Sequence, residues 1–180
     1  MKLIKPSSGQ ITSKYGWRRD HFHPGIDLTA GTGSQVIAAA SGTIIQVGKG
    51  CQAGNMRCQK GLGNYVAIDH HNGYYTAYFH LTTLNVKQGQ KVKVGQVLGS
   101  EGNTGYSFGS HLHFELRTNL NLAKEKGSID PYAYLFEDKE LPNPKQSYWL
   151  EILAVVLLVG LVYLAYRRGY VRGVLRYVKH

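Results

Sequence analysis

The eight histidines of this 180-residue chain are unevenly spread. His23 and Asp27 stand four apart in HFHPGIDL, His80 closes a run reading YFHL, and His111 and His113 share HLHFEL. A strand alternates its side chains between two faces, so His111 and His113 point one way while Leu112, Phe114 and Leu116 point the other. The apolar set can face a core and the imidazoles an open groove. Two histidines about 7 Å apart along a strand do not both reach one ion without strain. One therefore binds a metal, and the other addresses whatever the metal binds. Mixed imidazole and carboxylate donors suit zinc, which in catalytic sites keeps three protein ligands and leaves a fourth position for water. His21, His70, His71 and His180 show no such pattern and read as ordinary surface or core residues.

Short β runs must carry these side chains. VIAAASGTIIQVG alternates apolar residues around Gly42, and NVKQGQKVKVGQVLGSEGNTG alternates valines with polar residues. NYVAIDHHNGYYTAYFHL reads as a hairpin, with Val66 and Ile68 on one strand, Asn72-Gly73 as the turn, and Tyr75 to His80 returning. HLHFELR adds a further strand. Sustained helical periodicity is missing before Tyr148, apart from a short helix expected near Asp130-Pro131 to Phe136. The fold class expected is mainly β, a small antiparallel β-sheet domain. The run from Gly102 to Gly109 either rims a groove or is simply a flexible loop.

Composition agrees with this picture: 22 glycines, 13 tyrosines and only 18% charged residues suit strands, tight turns and an aromatic-lined groove rather than a helical bundle. The formal charge is +10. Five of the positive charges, Arg167, Arg168, Arg172, Arg176 and Lys179, lie in a terminal stretch free of acids; without them 16 bases face 11 acids. A mild basic excess suits an anionic polymer or a lipid surface. With neither a helix-turn-helix nor an aromatic-plus-basic RNA motif in view, a nucleic-acid partner is not expected. Cys51 and Cys58 flank six residues in CQAGNMRC. They read either as a disulfide clipping a surface loop, worth roughly 2–3 kcal/mol in an oxidising compartment, or as two unrelated thiols.

The N-terminal MKLIKPSSGQ lacks the apolar core of a signal peptide. Tyr148 to Tyr166 form a run of 19 residues with one charge, Glu151, which as a helix would rise roughly 28 Å. That length predicts a single transmembrane helix, 148–166, with a lipid bilayer as partner, a linker at 137–147 and a basic juxtamembrane tail at 167–180. The positive flank would put that tail in the cytoplasm and residues 1–136 on the cell-wall (periplasmic) side, or set the protein in a virion membrane.

HPGIDL, YFHL and GNTGYSFGSHLHFEL, with the weaker pattern between them, resemble the signature segments of the lysostaphin-like zinc metallopeptidases. The resemblance spans roughly Gly9 to Phe136. It implies a peptidoglycan endopeptidase with zinc as cofactor, His23, Asp27 and His113 as metal ligands, and His80 and His111 as catalytic histidines that do not bind the metal. Which of the two is the general base stays open. The bond expected is the D-Ala to diaminopimelate cross-link of peptidoglycan. Some members of the family lack zinc ligands and activate other wall hydrolases, so a non-catalytic wall-binding regulator is the alternative; a zinc peptidase acting on proteins is a weaker third.

Overall fold

The computed structural model describes residues 1–122 and 124–167, the side chains of 144–151 excepted. By its contacts the chain divides into two compact units, Met1–Leu141 and Pro142–His180. The first unit opens with β1 (Gln10–Ser13), β2 (Gly16–Trp17), β3 (Phe22–His23), β4 (Ile26–Thr29) and β5 (Gln35–Ile37). There follow β6 (Gly42–Gly48), β7 (Asn64–Asp69), β8 (Tyr75–Leu81), β9 (Thr83–Leu84) and β10 (Lys91–Val92). The unit closes with β11 (Val97–Ser100), β12 (Leu112–Arg117), β13 (Ser128–Ile129) and a short helix, α1 (Tyr132–Phe136).

The main sheet is eight-stranded and antiparallel, ordered β1-β4-β12-β8-β7-β6-β10, with β13 beside the far end of β12. A three-stranded sheet, β5-β11-β9, supplies a second layer. The core takes one face of the main sheet, with Ile26 and Leu28 of β4, Tyr78 of β8 and Leu112, Phe114 and Leu116 of β12 packed with Val36 and Leu98 of the smaller sheet. Each is at most 1% exposed. The period-two alternation of HLHFEL thus does what it implies: its apolar positions enter the core and its histidines take the opposite face.

One local feature differs from expectation. The hairpin between β7 and β8 is joined by His70 to Tyr74 rather than by a two-residue Asn-Gly turn, and positive φ falls on His71 (59°) and Gly73 (83°). The Asp69 carboxylate accepts the His71 N–H at 2.7 Å and the Asn72 amide oxygen accepts the Tyr74 N–H at 3.2 Å, so side chains close the longer loop. His70, moreover, is 8% exposed and bonded to Ser41 O and Thr76 Oγ1, where burial pushes its pKa down. The two cysteines do form a disulfide, Cys51–Cys58.

The second unit contains α2, Pro144–Arg167, which begins inside the stretch expected to be a linker. Proline suits a first helical turn because it has no N–H to leave unpaired. Among the described residues, no helix is long and apolar enough to cross a membrane. The predicted span at 148–166 is therefore withdrawn. With it go the bilayer partner, the single-pass topology, and the periplasmic or virion-membrane placement argued from it. The basic tail beyond Arg167, and His180, lie outside the described residues.

Gly25 shows how tightly β4 meets β12. A Cβ there would lie 2.3 Å from the Phe114 carbonyl oxygen and 3.0 Å from atoms of both His113 and Glu115. Backbone cannot yield as a flexible side chain does, so Gly25→Ala is expected to destabilise the domain by about 2–3 kcal/mol. Thermal unfolding followed by circular dichroism should show a midpoint about 5–10 °C lower.

Candidate metal centre

In the β4–β12 ladder His113 stands directly opposite Asp27. The same pairing that builds the sheet therefore sets an imidazole against a carboxylate on the face away from the core. His23, at the end of β3 and paired with Gly16, reaches the same point after the chain turns through Pro24 and Gly25. His113 Nδ1 lies 2.8 Å from Asp27 Oδ1; His23 Nε2 lies 3.1 Å from that oxygen and 2.9 Å from His113 Nδ1. Among the described residues, these three form a group able to hold a metal ion, with donor atoms all within 4.8 Å of one another.

The outward-facing nitrogens decide what the inward-facing ones offer. His23 Nδ1 sits 2.7 Å from the Lys14 carbonyl, and His113 Nε2 sits 3.1 Å from Glu115 Oε1. Each of those partners is an acceptor, so each nitrogen must donate a proton. His23 Nε2 and His113 Nδ1 are then lone pairs, and together with the Asp27 carboxylate they make three acceptors that only a cation or a proton satisfies. Two imidazoles and one carboxylate match zinc with one position left open. Burial alone would raise the Asp27 carboxyl, but hydrogen bonds and charge from His113 and His23 outweigh it and hold the group well below the usual carboxylate range. Burial likewise opposes a proton on His113, yet its bonds to Asp27 and Glu115 raise its pKa to about 9.

His80 arrives by an irregularity. Tyr78 faces the core, and strict alternation would send His80 after it. Instead Asn64 pairs with Leu81 and Val66 with Tyr78, so Phe79 and His80 together oppose the single residue Tyr65. This is a β-bulge, a device that re-aims side chains. His80 takes φ 63°, and its ring lies 4.8 Å from that of His111 and 6.1 Å from that of His113. Its Nδ1 donates to the Thr104 carbonyl at 2.8 Å, leaving Nε2 as an acceptor. Burial, followed by charge on His113 and His111, lowers its pKa to about 3. His111 donates from Nδ1 to the Gly109 carbonyl at 2.9 Å, and its Nε2 lies 3.7 Å from Asp27 Oδ1.

All five residues singled out in the sequence thus line one cleft of about 740 Å³. Of the stretch from Gly102 to Gly109, Tyr106 to Gly109 form part of its wall, with Tyr106 and Phe108 61% and 81% exposed. Sequence reasoning missed Arg18, 3.6 Å from Asp27 Oδ2, for which HFHPGIDL carries no signal. It also missed Glu115 and Arg117, although the alternation that aligned His111 with His113 continues to both.

The model of Peptidase family M23 matches residues 21–131. Over 152 aligned residues, covering 75% of this chain and 33% of the relative, the chain is 38% identical to "Peptidoglycan DD-endopeptidase ShyA" of Vibrio cholerae. It is 33% identical over 131 residues to "Murein hydrolase activator NlpD" of Escherichia coli, covering 72% of this chain and 30% of that protein. The chain therefore spans about a third of these curated relatives. Among solved structures, the catalytic domain of lysostaphin from Staphylococcus simulans superposes with a TM-score of 0.59 at 30% identity, covering 70% of this chain and 91% of that one. The mainly β fold and the lysostaphin-like resemblance agree with these findings.

The proton affinities give a signed expectation for the chelator-treated protein. His113 has a folded pKa near 9, above the unfolded value of about 6.5. Its stabilising contribution is whole below about pH 6.5 and is lost as pH rises through about 9. Asp27 is shifted the other way, so its contribution is present above about pH 4 and is lost on acidification. The stability difference between the native chain and His113→Gln, from denaturant melts in EDTA, should therefore shrink between about pH 6.5 and pH 9.5. A difference that stayed constant or grew over that interval would contradict the assigned proton.

Proposed function

This chain belongs to peptidase family M23, and from that premise we propose that it is a zinc-dependent endopeptidase hydrolysing the peptide cross-links of bacterial peptidoglycan. The observation that carries the reading is the convergence of three acceptor atoms, His23 Nε2, Asp27 Oδ1 and His113 Nδ1, within a cleft that also holds two further imidazoles. His23, Asp27 and His113 would hold the zinc. When bound, the ion supplies a Lewis acid for the scissile carbonyl and lowers the pKa of water toward about 7.

The chain's own groups supply the rest. His80 stays uncharged above about pH 3, so its Nε2 accepts a hydrogen bond from the attacking water and orients it. His111, its Nδ1–H fixed on the Gly109 carbonyl, directs Nε2 toward Asp27 and the reacting centre, where it exchanges a proton with the tetrahedral species. The cleft between the two aromatic side chains Tyr106 and Phe108 and the β1–β3 segment has room for an extended stem peptide. The relative named as a DD-endopeptidase supports a D-Ala to diaminopimelate bond as the one cut.

A second reading is favoured by the relative named as a murein hydrolase activator. On that reading the same cleft binds wall peptides and regulates another hydrolase without chemistry of its own.

Digestion of purified sacculi with the full chain separates the two. Cross-linked muropeptide dimers should fall to monomers, with EDTA or His113→Ala abolishing the conversion. His80→Ala and His111→Ala should each keep zinc and lose about 10²–10⁴-fold in kcat. Intact sacculi in the presence of zinc-loaded, folded protein would instead support the regulator.

A further inference from the structure

We propose that Glu115 and Arg117 form a positioning pair for this metal centre, Glu115 fixing the tautomer and ring plane of His113 and Arg117 fixing Glu115. The inference rests on the metallopeptidase reading above and deepens it. Along β12 the period-two alternation sets His113, Glu115 and Arg117 on one face. Glu115 is 2% exposed and uses both carboxylate oxygens: Oε1 lies 3.1 Å from His113 Nε2, and Oε2 accepts from Arg117 Nη1. Arg117 is fully buried. Its Nε donates to the Asn119 carbonyl at 3.1 Å, and its Nη2 to those of Asn121 at 2.8 Å, Lys124 at 2.6 Å and Lys126 at 3.2 Å.

Packing does not ask for this pair. Two buried charges cost desolvation, and well-packed apolar residues of similar size often replace such a pair without loss. What the apolar pair could not do is tell His113 which nitrogen to protonate. A neutral acceptor or water at Nε2 would let the ring exchange tautomers or rotate, turning Nδ1 from a lone pair into a donor. The carboxylate forbids this, and a carboxylate behind a ligating histidine also raises the basicity of the nitrogen facing the metal. Four backbone carbonyls anchor the guanidinium, so the carboxylate keeps one orientation. Orientation is thus passed from backbone to Arg117, to Glu115, to His113.

The test is a zinc titration of the chelator-treated full chain against a chromophoric competitor, with unfolding midpoints of the metal-free forms measured beside it. Glu115→Gln keeps the shape and removes the charge. It should weaken zinc about tenfold, and Glu115→Leu/Arg117→Met about 10–100-fold. In ¹⁵N-edited spectra of the zinc form, the native His113 Nε2–H should be protected from exchange, and Glu115→Gln should lose that protection. Both variants binding zinc within twofold of native, with the Nε2–H unchanged, would overturn the pair and leave the peptidase reading standing. A native chain that takes up no zinc would overturn the metal reading and the pair together.

Discussion

Three acceptor atoms meeting at one point, with no donor among them, is the constraint around which this domain is arranged. Such a cluster is unfavourable until a positive charge enters it, so the fold must hold it together by other means. It does so with the sheet. Asp27 and His113 are opposite members of one antiparallel ladder, fixed by backbone hydrogen bonds that the core needs in any case. The Lys14 carbonyl behind His23 and the Glu115 carboxylate behind His113 then ensure that what faces inward is a lone pair.

Strand β12 makes the arrangement possible by serving two environments at once. Leu112, Phe114 and Leu116 are wholly buried with the core, and a one-residue slip would put them in the cleft and the histidines in the core. Register is therefore secured by hydrophobic burial, and the pairing of His113 with Asp27 takes its geometry from that. The same division explains Gly25: where β4 and β12 approach closely enough to pair His113 with Asp27, the Phe114 carbonyl leaves no space for a Cβ.

Much of this was legible in the sequence, and the parts that were not have physical reasons. The HLHFEL alternation announced the cleft face because period carries that information directly, and the family resemblance brought His23 and Asp27 to the same site. The bulge at His80 did not, since it depends on Tyr65 facing two residues of the neighbouring strand, a relation absent from any local pattern. Glu115 and Arg117 were within reach of the same alternation but were not singled out; only tertiary structure shows both buried. His70 was read as an ordinary surface or core residue, and the longer loop decides for the core by folding its ring inward to Ser41 and Thr76. The membrane span failed differently: counting apolar residues from Tyr148 measures composition, and no helix among the described residues meets the requirement of length and apolarity together.

Holding an ion and carrying out chemistry beside it place different demands on the backbone. His23, Asp27 and His113, the group able to hold an ion, sit on or next to regular strands. The two remaining imidazoles depend on irregular backbone: His80, within β8, requires a left-handed conformation at a bulge, and the His111 N–H, just before β12, hangs from the Gly102 carbonyl. Irregular backbone needs bracing, and the braces are visible. Thr104 accepts the His80 Nδ1–H on its carbonyl, while its hydroxyl accepts the Asn64 N–H and donates to the Leu81 carbonyl. The buried Asn64 side chain then ties Leu81 to both backbone polar groups of Cys51, at the base of the disulfide loop. Gly63 and Gly105, both at positive φ, allow this contact, because a Cβ on Gly63 would strike Thr104 and one on Gly105 would strike Gly63. The disulfide loop thus lies behind His80 rather than behind His23, Asp27 and His113, so disturbance there should reach His80 before it reaches the ladder that pairs His113 with Asp27.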